Sequence, residues 1–145
     1  DAQFYVTLTE QEWDSRDSSF KKNICNAGAL STAQCPTFYR KMDAIIFPSL
    51  LECFSATPLE AMIMKIPLFA SDRGFVKDSC SEYAIYFDPI NPESAADSIA
   101  AYFKRALEDR ALLLEEAQQH ALSFSSAKER ADQYIKILQS LAISE

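Results

Sequence analysis

Glu52 and Glu60, an E-x7-E pair, carry the clearest chemistry in this sequence because they flank a short turn between a strand-type run and a helix-forming one. Upstream, Asp43-Ala44-Ile45-Ile46-Phe47-Pro48 is apolar and β-branched. Downstream, Leu59 to Met64 are helix formers. Strand, polar loop, helix is the layout of a ligand crevice in an open α/β sheet. Ligands there sit beyond the carboxyl ends of the strands, where free N–H groups at the head of the next helix favour an anion. Each glutamate also has a plainer reading. Thr57-Pro58-Leu59-Glu60 is a capping box with proline at the first helical position, and a glutamate so placed can hold a hydroxyl-bearing ligand as well as a backbone N–H. Glu52, between the Ile45-Ile46-Phe47 run and Phe54, is either partly desolvated and in need of a partner, or simply exposed.

The elements that would position this pair alternate along the chain. Phe4 to Thr9 has strand character and leads through Glu10 to Asp14 into a loop or short helix. Ile24 to Ala27 is a second apolar piece, closed by Gly28, and Ser31-Thr32-Ala33-Gln34 offers a cap for a helix carrying Phe38, Tyr39 and Met42, with Pro36 limiting its start. After the central loop, Pro67 to Ser71 is a buried-type strand, a short helix surrounds Val76 to Tyr83, and Ala84 to Phe87 is another strand. Asn91-Pro92-Glu93 supplies a cap and an acidic first turn for a helix whose apolar stripe is Ala95, Ala96, Ile99, Tyr102, Phe103, Ala106 and Leu107. Arg110 to Leu122 and Ser126 to Ile143 are amphipathic. The last places Ala127, Ala131, Tyr134, Ile135, Leu138 and Leu141 on one face, which is expected to pack mostly on this chain's own sheet. This order predicts an α/β fold: a Rossmann-like, mostly parallel sheet with helices on both faces.

Composition narrows the function. The 145 residues, 48% of them apolar, are material for one domain of ordinary size, residues 1–145. The start at Asp1, with strand character almost at once, reads as a piece excised from a longer chain and truncated at its N-terminus. A net charge of −7 with scattered basic residues argues against nucleic acid as a partner. The 4 cysteines, Cys25, Cys35, Cys53 and Cys80, form no C-x-x-C, and His120 is the only histidine, so no metal site is expected. The thiols are expected to be reduced and mostly buried, in the cytoplasm, and His120 to be a solvated helix residue. No apolar run of membrane-spanning length occurs.

The motif Phe47-Pro48-Ser49-x-x-Glu52-x-Phe54-x-x-x-x-Leu59-Glu60-Ala61-Met62, with Pro67-Leu68-Phe69-Ala70-Ser71-Asp72 and Gly74 after it, resembles the nucleotide-binding half of retaining GT-B glycosyltransferases of family GT4, or group 1. Gly28-Ala29-Leu30 and Tyr39 upstream and Tyr86-Phe87-Asp88-Pro89 downstream extend the resemblance over Phe4 to Phe124. It implies a C-terminal, donor-binding domain whose N-terminal acceptor domain is absent from this chain. The donor would be an NDP-sugar of UDP, GDP or ADP type, the acceptor a glycan or lipid-linked glycan, and no cofactor or metal is implied. Glu60 would accept from the ribose hydroxyls. Glu52, the catalytic candidate, would engage a hydroxyl of the donor sugar. Phe54, Ser55, Ala56 and Thr57 would offer N–H groups to sugar and diphosphate, and Ala29 and Leu30 would lie beside the nucleobase. From the residues alone, that last turn is an ordinary strand-to-helix connection.

The chain departs from the usual Glu-Gly-Phe-Gly, reading Glu52-Cys53-Phe54-Ser55, and has Ile66 where a glycine is common. The basic residues that grip the diphosphate in the family lie upstream of the matched segment, so the isolated chain is expected to bind nucleotide weakly and not to turn over. The implied location is cytoplasmic, peripheral at the inner membrane for the full-length protein. The alternative is a non-catalytic α/β domain with an interaction or regulatory role, either degenerate or of receiver type. A receiver, however, needs clustered strand-end acids beside a lysine, which this sequence lacks.

Overall fold

Strands β1 (Phe4–Val6) and β2 (Ile24–Asn26) pair in parallel, with Phe4 opposite Ile24, in a computed structural model that describes residues 2–142. Asp1, and Ile143 at the end of the last predicted amphipathic segment, lie outside the described residues. The chain forms two units, Asp1–Lys41 and Met42–Glu145. In the first, α1 (Glu10–Asp14) opens with a reciprocal cap, Thr9 N–H donating to Glu12 Oε2 at 2.8 Å while Glu12 N–H donates to Thr9 Oγ1 at 3.3 Å. Asp17 caps α2 (Ser18–Asn23). The expected strand to Thr9 stops at Val6 because the Asn26 side chain takes over the main chain of Leu8, accepting its N–H at 3.0 Å and donating to its carbonyl at 3.0 Å. The Ser31 cap is also absent. Instead Gln34 Oε1 accepts from both the N–H and the hydroxyl of Ser31, each at 2.8 Å, and α3 (Cys35–Tyr39) begins with Pro36 in its first turn and no side-chain cap.

In the second unit β3 (Ile45–Phe47), β4 (Leu68–Ser71) and β5 (Ile85–Phe87) form a parallel sheet in that order, linked through α4 (Thr57–Ile63) and α5 (Gly74–Cys80). It continues through α6 (Pro92–Phe103), α7 (Leu107–Leu122) and α8 (Ala127–Ala142). The chain is thus an α/β protein with parallel strands throughout. Central β4 shows why it reads as a continuous apolar run: all of its residues are buried, because both faces are covered. Leu68 and Ala70 join Ala61 and Met62 of α4, Val76 and Cys80 of α5, and Ala117 and Ala121 of α7 in one core. Phe69 points the other way, into a core with Phe87 and Tyr102, and meets the Tyr102 ring edge-on at 5.5 Å between centroids.

The end of α4 accounts for Ile66. Lys65, not residue 66, takes the left-handed conformation at φ 55°. The Lys65 N–H reaches Met62 O at 3.0 Å and the Ile66 N–H reaches Ala61 O at 2.9 Å, which is the Schellman pattern that consumes terminal helix carbonyls. A left-handed lysine costs about 1–2 kcal/mol relative to a relaxed one. The geometry is held by burial of Ile66, by the Lys65–Glu115 ion pair to α7, and by Gln118 donating to Ile63 O at 2.6 Å.

Several expected burials are corrected. On α6, capped as anticipated by Asn91 Oδ1 on the N–H groups of Glu93 and Ser94, only Ala95, Ile99 and Tyr102 of the stripe face the core. The helix ends at Phe103, so Ala106 and Leu107 begin α7 instead and are exposed, as are Ala96 and Phe103. The α8 face is exposed along its length, with Tyr134, Ile135, Leu138 and Leu141 all at least half open to solvent, so it does not pack on this chain's sheet. His120 is half-buried rather than solvated. It lies 3.0 Å from Ser79 O, between Tyr83 and Phe124. Among the cysteines only Cys80 is buried, and Cys53 is exposed.

Burial pushes the Cys80 thiol up to about 11. In the unfolded chain this thiol ionises at its ordinary, lower value. Its contribution to stability is therefore complete below that value and is lost as pH rises toward 11. With a thiol reagent at neutral pH, Cys53 is expected to react first and Cys80 only on unfolding, as mass-mapped labelling with and without denaturant would report. Equal rates at the two positions would contradict this packing.

Candidate functional site

The loop between β3 and α4 is built by the residues at its two ends. Pro48 follows β3 directly and, lacking an N–H, cannot extend the ladder with β4. A side chain does so instead: the Ser71 hydroxyl, fully buried at the end of β4, donates to the Ser49 carbonyl at 2.7 Å. At the far end, buried Pro58, Ala61 and Met62 fasten α4 to the core and so fix where Glu60 stands.

Glu52 is half-buried, and the Ser49 hydroxyl donates to its Oε1 at 3.0 Å. It therefore has a partner, the first of the two readings its sequence position allowed. Glu60 is half-buried on the first turn of α4. Its N–H donates to Ala56 O at 2.9 Å, and no side-chain cap opens the helix, so the capping box is not formed. From Phe54 to Thr57 no main-chain N–H has a partner among the described residues. Phe47, Cys53, Phe54, Ser55, Pro58, Phe75, Val76 and Ser79 surround a small open cleft between the loop and α5. The Phe54 side chain remains 63% exposed. Cys53 and Ser55 thus place side chains on this cleft.

Glu52, Phe54, Ser55, Ala56, Thr57 and Glu60 all belong to this one loop and helix start in the second unit. Ala29, exposed, and Leu30, half-buried, belong to the first unit, on the turn after β2 where Gly28 adopts φ 80°. Ser49 and Ser71 stand within the motif quoted from the sequence but were given no role of their own there. The available signal was a hydroxyl at the end of an otherwise wholly apolar strand, which must find a hydrogen-bond partner when buried.

The loop brings two kinds of polar group together. It offers unpaired N–H donors together with two carboxylates as hydroxyl acceptors. Comparison with known proteins bears on the family and the fold. Residues 15–120 match the family described as Glycosyl transferases group 1. Over 70 residues the chain is 36% identical to sucrose synthase 6 of Oryza sativa subsp. japonica, a match covering 46% of this chain and 8% of that protein. Among solved structures it is similar to a sucrose-phosphate synthase from Thermosynechococcus elongatus, with TM-score 0.74 and 17% identity over 97% of this chain and 38% of that one. It is also similar to the catalytic domain of starch synthase IV from Arabidopsis thaliana bound to ADP and acarbose, with TM-score 0.70 and 17% identity over 99% of this chain and 33% of that one. A glycosyltransferase from Rickettsia africae gives TM-score 0.71 and 22% identity over 86% of this chain and 33% of that one. The chain thus spans well under half the length of each of these proteins.

Proposed function

Because this chain belongs to the glycosyl transferases group 1 family, we propose that it is the donor-binding half of a retaining enzyme that transfers a sugar from a nucleoside diphosphate sugar to a glycan or lipid-linked acceptor. The observation that carries this reading is the row of unpaired N–H groups from Phe54 to Thr57, set between Glu52 and Glu60. In it, Glu60 accepts from the ribose hydroxyls and Glu52 from a hydroxyl of the donor sugar. The loop N–H groups meet the charge that grows on the departing diphosphate, and such preorganised donors are worth most where water is excluded. Ala29 and Leu30 contact the nucleobase. No cofactor or metal is required in this scheme.

The acceptor site lies on a second, N-terminal domain. The exposed apolar face of α8 supports this, since contiguous open apolar surface marks a place where another surface docks. In the full-length protein that domain, rather than this acidic half, carries any attachment to the inner membrane. A non-catalytic reading is favoured by one observation, that Cys53 and Ser55 place side chains at a cleft where the family usually has glycine.

Calorimetric titration with UDP, GDP and ADP, each alone and as its glucose conjugate, separates these readings. Selective binding of one nucleotide, strengthened by its sugar, is the expected result. Absence of binding in the full-length protein favours the non-catalytic reading.

A further inference from the structure

Ser71 is a buried polar side chain within a strand whose other residues are Leu68, Phe69 and Ala70. A hydroxyl in such a place is costly unless bonded, and an alanine there would satisfy the packing without it. Its hydroxyl bond leads out of the core to Ser49 O at 2.7 Å, and Ser49 in turn donates its hydroxyl to Glu52 Oε1 at 3.0 Å. The Ser49 hydroxyl has one proton and a second acceptor within reach, Leu51 O at 3.5 Å, so the shorter, charge-assisted bond to the carboxylate is the stronger. The consequence is directional. One oxygen of Glu52 is tied to the end of the rigid central sheet, and the other is left to accept from a ligand.

We propose that Ser71 and Ser49 are positioning residues: Ser71 anchors the Ser49 main chain to the end of β4, and Ser49 orients the Glu52 carboxylate toward the donor sugar. This rests on the reading of Glu52 as the residue that holds that sugar. The flanking Leu50 and Leu51 are both exposed, the latter at 85%. The two serine bonds join the carboxylate to the end of β4.

The test is the ratio of affinities for UDP-glucose, GDP-glucose or ADP-glucose over the matching bare nucleotide, measured in the full-length protein with whichever nucleotide binds. Ser49→Ala and Ser71→Ala are each expected to lower that ratio about tenfold while bare-nucleotide affinity stays within twofold. Ser49→Thr, which keeps the hydroxyl, restores it. The double variant is expected to lose no more than either single one, because both act through one carboxylate. Glu52→Gln serves as the reference. If it lowers the ratio and both serine variants leave it unchanged, the positioning role is wrong and the donor reading stands. If Glu52→Gln itself changes nothing, or no nucleotide binds, the donor reading fails and the positioning role with it. Ser49 lies in the loop, so its variants report even if Ser71→Ala does not fold.

Discussion

Replacing Glu60 by alanine is expected to weaken nucleotide binding by on the order of 100-fold. The magnitude follows from what the carboxylate does in the proposed site. It accepts hydrogen bonds from ribose hydroxyls, and bonds to a charged group contribute about 1.5–3 kcal/mol each. Loss of two of them, partly compensated by water, leaves about 3 kcal/mol. Fold and loop should survive the change: the Glu60 N–H bond to Ala56 O is independent of the side chain, and α4 is held by Pro58, Ala61 and Met62. The loss should therefore fall equally on nucleotide and nucleotide-sugar, with the unfolding midpoint of the free protein little altered. A ribose-free probe, inorganic pyrophosphate, should bind Glu60→Ala and the parent alike. Unchanged nucleotide affinity in Glu60→Ala would remove the ribose role.

The second large effect is expected at Glu52, and it has a different signature. Glu52→Gln keeps the shape of the side chain and an oxygen for the Ser49 hydroxyl, but replaces the other acceptor by an NH₂ donor. A donor presented to a sugar hydroxyl still permits a weak bond, yet it opposes the positive charge that builds on the sugar as the diphosphate departs. Turnover of the full-length enzyme should fall by about 10²–10³, the range seen when one preorganised electrostatic group is lost from an active site. The bare nucleotide should bind within twofold of its parent affinity. Glu60→Ala thus reads mainly as a binding defect and Glu52→Gln mainly as a kcat defect. Equal losses of kcat in both, with affinity intact, would contradict the division of roles between the two carboxylates.

How much of this was legible in the sequence depended on how local the determinant is. The strand, loop and helix around Glu52 and Glu60, the wholly buried β4 and the Asn91 cap of α6 are set by adjacent residues, and the sequence located each within a residue or two. Features fixed by distant partners were not visible. The end of β1 is decided by Asn26, and His120 is drawn inward by Ser79, Tyr83 and Phe124. The capping box was permitted by the residue types, but α4 instead starts a position earlier, with Ala56 as its cap residue and Thr57 already helical. Ile66 looked like a lost glycine, whereas the left-handed conformation falls on Lys65, whose cost is carried by contacts with α7. The amphipathic period of α8 was clear, but period alone does not say what covers a face, and in the described residues that face is open. The Ser71–Ser49–Glu52 connection joins two strand ends and needed the register Phe47 opposite Ala70 to become visible.

In the proposed site the loop from Phe54 to Thr57 holds the diphosphate of a nucleotide-sugar with its main-chain N–H groups. The most direct measurement is amide-shift NMR of this chain titrated with UDP, GDP and ADP and their glucose conjugates. One nucleotide series is expected to move the Phe54, Ser55, Ala56 and Thr57 amides together with Glu60, and the sugar conjugate to move Glu52 in addition. Shifts that leave these amides unmoved while saturating elsewhere on the chain would contradict this role of the loop.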